Sequence, residues 1–100
     1  MLNISKSDEN GRTVITLEGR LDVNAAKEAD KQFMDTAGEA ADIILDCAKL
    51  EYIASAGLRA IKRLRQAMKE KDSKLAVRNV NKDVMDVFSV TGFTALLKFE

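Results

Sequence analysis

From Gly19 onward the chain alternates segments of helical period with short aliphatic runs, and this alternation limits its fold more than any other feature. Between residues 24 and 37, Ala26, Ala29, Phe33 and Ala37 recur at three- and four-residue steps, with Ala25 and Met34 alongside, which is the spacing of one helix face. Residues 42–47 (Asp-Ile-Ile-Leu-Asp-Cys) form a short aliphatic run with Ile43, Leu45 and Cys47 on one side and Ile44 on the other, as in a central strand. Residues 50–56 read as a loop. A second helix follows over residues 57–71, striped by Leu58, Ile61, Leu64 and Met68. Leu75-Ala76-Val77 gives another strand. Residues 83–90 give a third helix, with Val84, Val87 and Phe88 apolar and Thr91-Gly92 ending it; residues 96–99 give a last strand. Strands separated by helices join one sheet through crossovers, which are right-handed and leave the strands parallel.

The opening differs. Residues 2–8 alternate weakly, Asn10-Gly11 is a strong hairpin dipeptide, and residues 13–18 alternate cleanly, with Ile15 and Leu17 on one side and Val14 and Thr16 on the other. The expected fold is therefore α/β: a small mixed sheet, with an antiparallel opening hairpin and parallel strands after it, and helices packed against it. Asp22 or Asn24 suits the first helix as N-cap and Gly38 suits it as a stop. A chain of 100 residues is expected to form a single domain over residues 1–100.

Sixteen basic and sixteen acidic residues cancel, so bulk charge favours neither nucleic acid nor a membrane as partner. No histidine is present, which removes Ser-His-Asp and Cys-His catalysis and imidazole metal sites. A single cysteine forms no internal disulfide. Cys47, beside Ile43 and Leu45, reads as a buried thiol. The start lacks a charged-then-apolar leader, and no apolar run approaches the ~20 residues of a membrane span. A cytoplasmic location is the expectation. Charge is nevertheless uneven: residues 1–50 hold six Lys/Arg and ten Asp/Glu, residues 51–100 ten and six. Much of the excess falls on the second helix at Arg59, Lys62, Arg63, Arg65, Lys69 and Lys71, either as a solvated face or as a surface for acidic groups.

The stretch Tyr52-Ile53-Ala54-Ser55-Ala56-Gly57-Leu58 carries the most information about function. Ser55 falls just before the expected helix, where its hydroxyl can cap a free N–H. Ala54, Ala56 and Gly57 leave the spot uncrowded, and Gly57 is expected near the surface, where a ligand or another backbone comes close. A cap and a packing glycine would explain these residues without any function. A phosphate loop is not supported, since its glycine-rich consensus and lysine are missing. Nucleophilic catalysis lacks a base. Phosphorylation of Ser55 is physically favourable, because a helix N-terminus stabilises an added dianion that would repel a docked acidic partner.

Three segments in order carry a family resemblance: Val14-Ile15-Thr16-Leu17-Glu18-Gly19-Arg20-Leu21-Asp22; Ile44-Leu45-Asp46-Cys47 leading through Leu50, Tyr52 and Ile53 to Ser55-Ala56-Gly57-Leu58-Arg59; and Val87-Phe88 with Thr91-Gly92-Phe93. Over nearly its whole length the chain resembles the anti-sigma factor antagonists, single STAS domains. The resemblance implies a serine, here Ser55, that is phosphorylated by an anti-sigma factor with serine-kinase activity and reset by a serine phosphatase. The unphosphorylated form binds the anti-sigma factor and frees the sigma factor. It also implies a partner surface that includes Asp22. Ala54 stands where family members often carry aspartate, and Ala56 where they often carry Ser or Thr.

The expected contact surface comprises Asp22, Ala54, Ser55, Ala56, Gly57, Arg59 and Lys62, with no cofactor. A competing reading is a STAS scaffold or subunit of a transport or signalling assembly that is never phosphorylated. A small nucleotide-binding or enzymatic domain finds no phosphate loop and no acid–base set. A Mg²⁺ site from Asp22 and Asp46 would lack supporting ligands.

Overall fold

Asn10 and Gly11 both adopt positive φ (53° and 85°), the two left-handed steps of a tight hairpin turn. They set β1 (Leu2–Glu9) antiparallel to β2 (Arg12–Leu21), with Glu9 opposite Arg12. The computed structural model describes Met1–Glu100 and continues with α1 (Val23–Glu39), β3 (Asp42–Ile53), α2 (Ser55–Glu70), β4 (Leu75–Arg78), α3 (Lys82–Val90), α4 (Phe93–Leu96) and β5 (Lys98–Phe99). The five strands lie in the order β1-β2-β3-β4-β5, and every pairing after the hairpin is parallel. Each crossover thus steps the same way across the sheet, and right-handed crossovers that do so put every helix on one face.

That face carries the core. Ile15, Leu45 and Val77 share one register row, and they pack with Phe33 of α1, Ile61 and Leu64 of α2, and Phe88 of α3, all fully buried. The opposite face has no helix, yet Val14, Ile44 and Ala76, aligned in the neighbouring row, are also buried. Ion pairs cover them. Arg78 on β4 holds Glu9 on β1 through two hydrogen bonds (2.9 and 3.0 Å), and Arg12 on β2 holds Glu100 beyond β5 (2.7 Å). Each pair reaches across two intervening strands.

The sequence expectations need correction at several boundaries. β3 does not stop at Cys47; residues 50–53, expected as loop, continue the strand. Their partner is the extended β2, with Glu18 opposite Lys49 and Leu21 opposite Ile53. Register shifts after Thr16 and Gly19 break the alternation, leaving Ala48 and Lys49 both exposed, and the Asp46 carboxylate takes the Ala48 N–H at 3.0 Å. Gly38 lies inside α1 rather than ending it. The C-terminal carbonyls there are satisfied by Lys71, whose Nζ donates to Ala37 O and Ala40 O (2.5 Å each). Residue 96 closes a short helical turn, α4, and only Lys98–Phe99 pair as strand. Phe93 stacks on Phe88 at a centroid separation of 6.2 Å, which holds this turn against the core.

Candidate functional site

Because α1 follows β2 and α2 follows β3, two adjacent parallel strands, both helices start side by side at the carboxyl end of the sheet. Asp22 caps α1, accepting the Ala25 N–H at 2.9 Å, so the choice between Asp22 and Asn24 falls to Asp22. One residue earlier, Leu21 O accepts the Ala54 N–H at 2.9 Å and locks the start of α2 to the end of β2.

Ala54, not Ser55, is the N-cap residue of α2, and no side chain caps the helix. Ser55 is the first helical residue and is exposed. The expected hydroxyl cap is therefore not made. The first in-helix amide bond is Leu58 N–H to Ala54 O (3.0 Å), so the N–H groups of Ser55, Ala56 and Gly57 have no intrahelical acceptor. The first turn holds no acidic residue. Arg59, exposed and one turn on, lies on the same face as Ser55, with Lys62 next along it. Neither cation is in an ion pair, whereas Arg63 is engaged by Asp30 of α1 and Arg65 Nε donates to Leu96 O at 2.8 Å. Chemically, the tip offers a free hydroxyl among unfilled N–H donors and positive charge, suited to holding an anion.

Gly57 is the expectation that fails. It is buried, and a Cβ placed on it would stand 2.6 Å from Leu21 Cγ and 3.0 Å from Ile53 Cγ1. The close neighbour is a core side chain of the same chain, so Gly57 serves the packing of α2 on the end of β2. Asp46 lies mid-strand on the open face, bonded by Arg78 Nε (3.1 Å) and Asn79 Nδ2 (3.2 Å), so Asp22 and Asp46 do not meet. The Cys47 thiol is pushed up to about 12 by burial and then by the charge of Asp46, and it stays protonated.

Side chains around the tip complete the surface. Val23, the first residue of α1, is 70% exposed, and the Arg20 guanidinium stacks over the half-exposed Tyr52 ring at 4.3 Å. Lys27 lies one turn beyond Val23. Sequence reasoning did not single out Val23 or Lys27. An apolar residue at a helix start was the one available signal, and period alone assigns Val23 to the core.

The family model for the STAS domain matches residues 3–100. The chain belongs to the STAS family. Among solved structures, this STAS domain is similar to an anti-sigma factor antagonist (STAS) domain protein from Planctomyces limnophilus (TM-score 0.88, 20% identity, 100% of this chain and 90% of that chain). It is also similar to a putative anti-sigma factor antagonist from Thermotoga maritima (TM-score 0.89, 18% identity, 96% and 84% coverage). A further similar structure is the Bacillus cell fate determinant SpoIIAA in the phosphorylated form (TM-score 0.75, 17% identity, 100% and 91%). No curated protein sequence matches significantly. The mixed five-stranded sheet with four helices is the STAS fold of these neighbours. No helix is long and apolar enough to cross a membrane.

Proposed function

We propose that this STAS domain is an anti-sigma factor antagonist, a cytoplasmic binding module rather than an enzyme, switched off by phosphorylation of Ser55. The observation that carries this reading is the exposed Ser55 hydroxyl at the uncapped start of α2. A kinase-type anti-sigma factor docks on the tip through Asp22, Ala54, Ser55, Ala56, Arg59 and Lys62, with Gly57 contributing its backbone. Ser55 Oγ then attacks the γ-phosphorus of the ATP held by that partner, the hydroxyl proton passes to a base of the kinase, and ADP leaves. The dianion is held by the free amides of residues 55–57 and by Arg59, so the domain tolerates it while the docked partner is repelled. A serine phosphatase restores the hydroxyl with water and releases inorganic phosphate.

The similarity of the fold to SpoIIAA in its phosphorylated form supports this reading. The test is incubation with the kinase-type anti-sigma factor of the host and ATP. A gain of about 80 Da on Ser55, absent in Ser55→Ala, is expected for a phosphoryl group. Ser55→Asp should bind the partner at least ~10-fold more weakly. Ala54 places no carboxylate beside the hydroxyl, which favours the scaffold alternative if neither transfer nor binding occurs.

A further inference from the structure

Behind the tip, α1 and α2 leave a shallow groove of about 330 Å³ between them. Its wall residues Ala26, Ala56 and Ala60 are too small to fill it, and Val23 stands exposed at its mouth. The rim is cationic. Lys27 on α1 and Arg59 on α2 are free of ion pairs, while the one carboxylate lining the groove, Asp30, is already neutralised by Arg63. The uncapped start of α2 adds positive potential. An apolar floor inside a charged rim is the anatomy of a protein-docking patch.

We propose that this groove seats a single bulky apolar side chain of a protein partner, presented by an acidic segment whose carboxylates meet Lys27 and Arg59. The volume fits one large side chain, and covering Val23 removes exposed apolar surface that the domain alone leaves in water. Charge complementarity sets the sign of the segment, because every uncommitted charged group on the rim is positive. A bare phosphate or an RNA strand would use the rim and leave the floor unoccupied. The proposal rests on the docking reading above, and adds the chemistry of the partner. It also gives the switch a physical target: a phosphate on Ser55 would draw Arg59 away from the carboxylate of the segment.

The test uses the full chain and synthetic peptides, followed by amide chemical-shift mapping. The probe is a capped peptide with one leucine flanked on both sides by glutamates. Control peptides replace the leucine by serine or the glutamates by lysine. The expected result is saturable shifts at Val23, Ala26, Ala56 and Ala60 with the acidic leucine peptide, and none with either control. Val23→Asp and Lys27→Glu, both at exposed positions, should fold normally and lose binding by about tenfold or more, the scale of an anchor or a reversed charge. Absence of shifts, equal binding by Val23→Asp, or equal binding of the lysine peptide overturns the proposal. So does Val23-dependent binding of phosphatidylserine vesicles without peptide binding. Peptide binding in the groove without phosphoryl transfer defeats the switch reading alone. Phosphoryl transfer without peptide binding defeats the groove alone.

Discussion

Leu21, the last residue of β2, packs so tightly on Gly57 of α2 that a Cβ on the glycine would come within 2.6 Å of Leu21 Cγ. Both residues are buried, and the Ala54 N–H to Leu21 O bond fixes their backbones relative to each other. Gly57→Ala gains about 1 kcal/mol of helix propensity but meets an overpacking cost of ~1–3 kcal/mol. The balance is a net loss of stability, and Gly57→Arg should lose far more. Chemical denaturation of Gly57→Ala, Leu21→Ala and the double variant would check this. The double variant should be more stable than the sum of the single losses predicts. An increase in stability for Gly57→Ala would show that Leu21 yields freely.

At Ser55 a negative charge should help the isolated domain. The residue occupies the first helical position, beside three amides without intrahelical acceptors and one turn before Arg59. Ser55→Asp is expected to raise stability by ~0.3–1 kcal/mol at low ionic strength. Thermal unfolding should show the gain, and added salt should shrink it. A lower melting temperature at low salt would mean that the tip is not electropositive.

Several of these relationships were legible in the sequence. The hairpin at Asn10-Gly11, the helical periods and the central aliphatic run each follow from local spacing, and with the crossover rule they imply a mixed sheet. The second half of β3 was hidden because the bulge that satisfies Ala48 N–H through Asp46 puts two exposed residues in succession, which reads as loop. The role of Gly57 was hidden because its neighbour Leu21 lies far off in sequence. Gly38 misled for a similar reason: the group that satisfies the α1 carboxyl end, Lys71, comes from the end of α2. Ser55 was placed within one residue of its actual position because helix starts depend on local chemistry.

Asp22 is assigned two roles that substitution can separate. Its side chain caps α1 through Ala25 N–H, a function that asparagine performs equally well. Asp22→Ala should cost ~0.5–2 kcal/mol, the range for losing a cap. Asp22→Asn should keep the stability of the native domain. If the charge contributes to docking, Asp22→Asn alone should weaken partner binding in a titration at constant stability. Unchanged affinity would leave Asp22 as a cap only.

The open face of the sheet makes stability depend on acid. Glu9 and Arg78 are separated by three inter-strand gaps, about 14 Å of sheet, so their pairing passes above Val14 and Ile44. Hydrogen bonds from Arg78, reinforced by its charge, hold the Glu9 carboxyl below its ordinary value of 4.5. For Asp46, burial works to raise the value, but bonds from Ala48 N–H, Asn79 and Arg78 together with the Arg78 charge outweigh it and hold the carboxyl below 3.8. Carboxyls depressed in the folded state contribute stability fully above their unfolded values, and that contribution is lost as pH falls through the folded ones. Arg78→Met should therefore lower the melting temperature by a few degrees at neutral pH, through the lost pairs. The gap between variant and native chain should close as the pH is taken below the ordinary carboxylate range, because protonation removes the same pairs from the native chain. Melting curves across that range decide it, and a gap that stays constant into acid would show that Arg78 acts by covering the apolar row and not by charge.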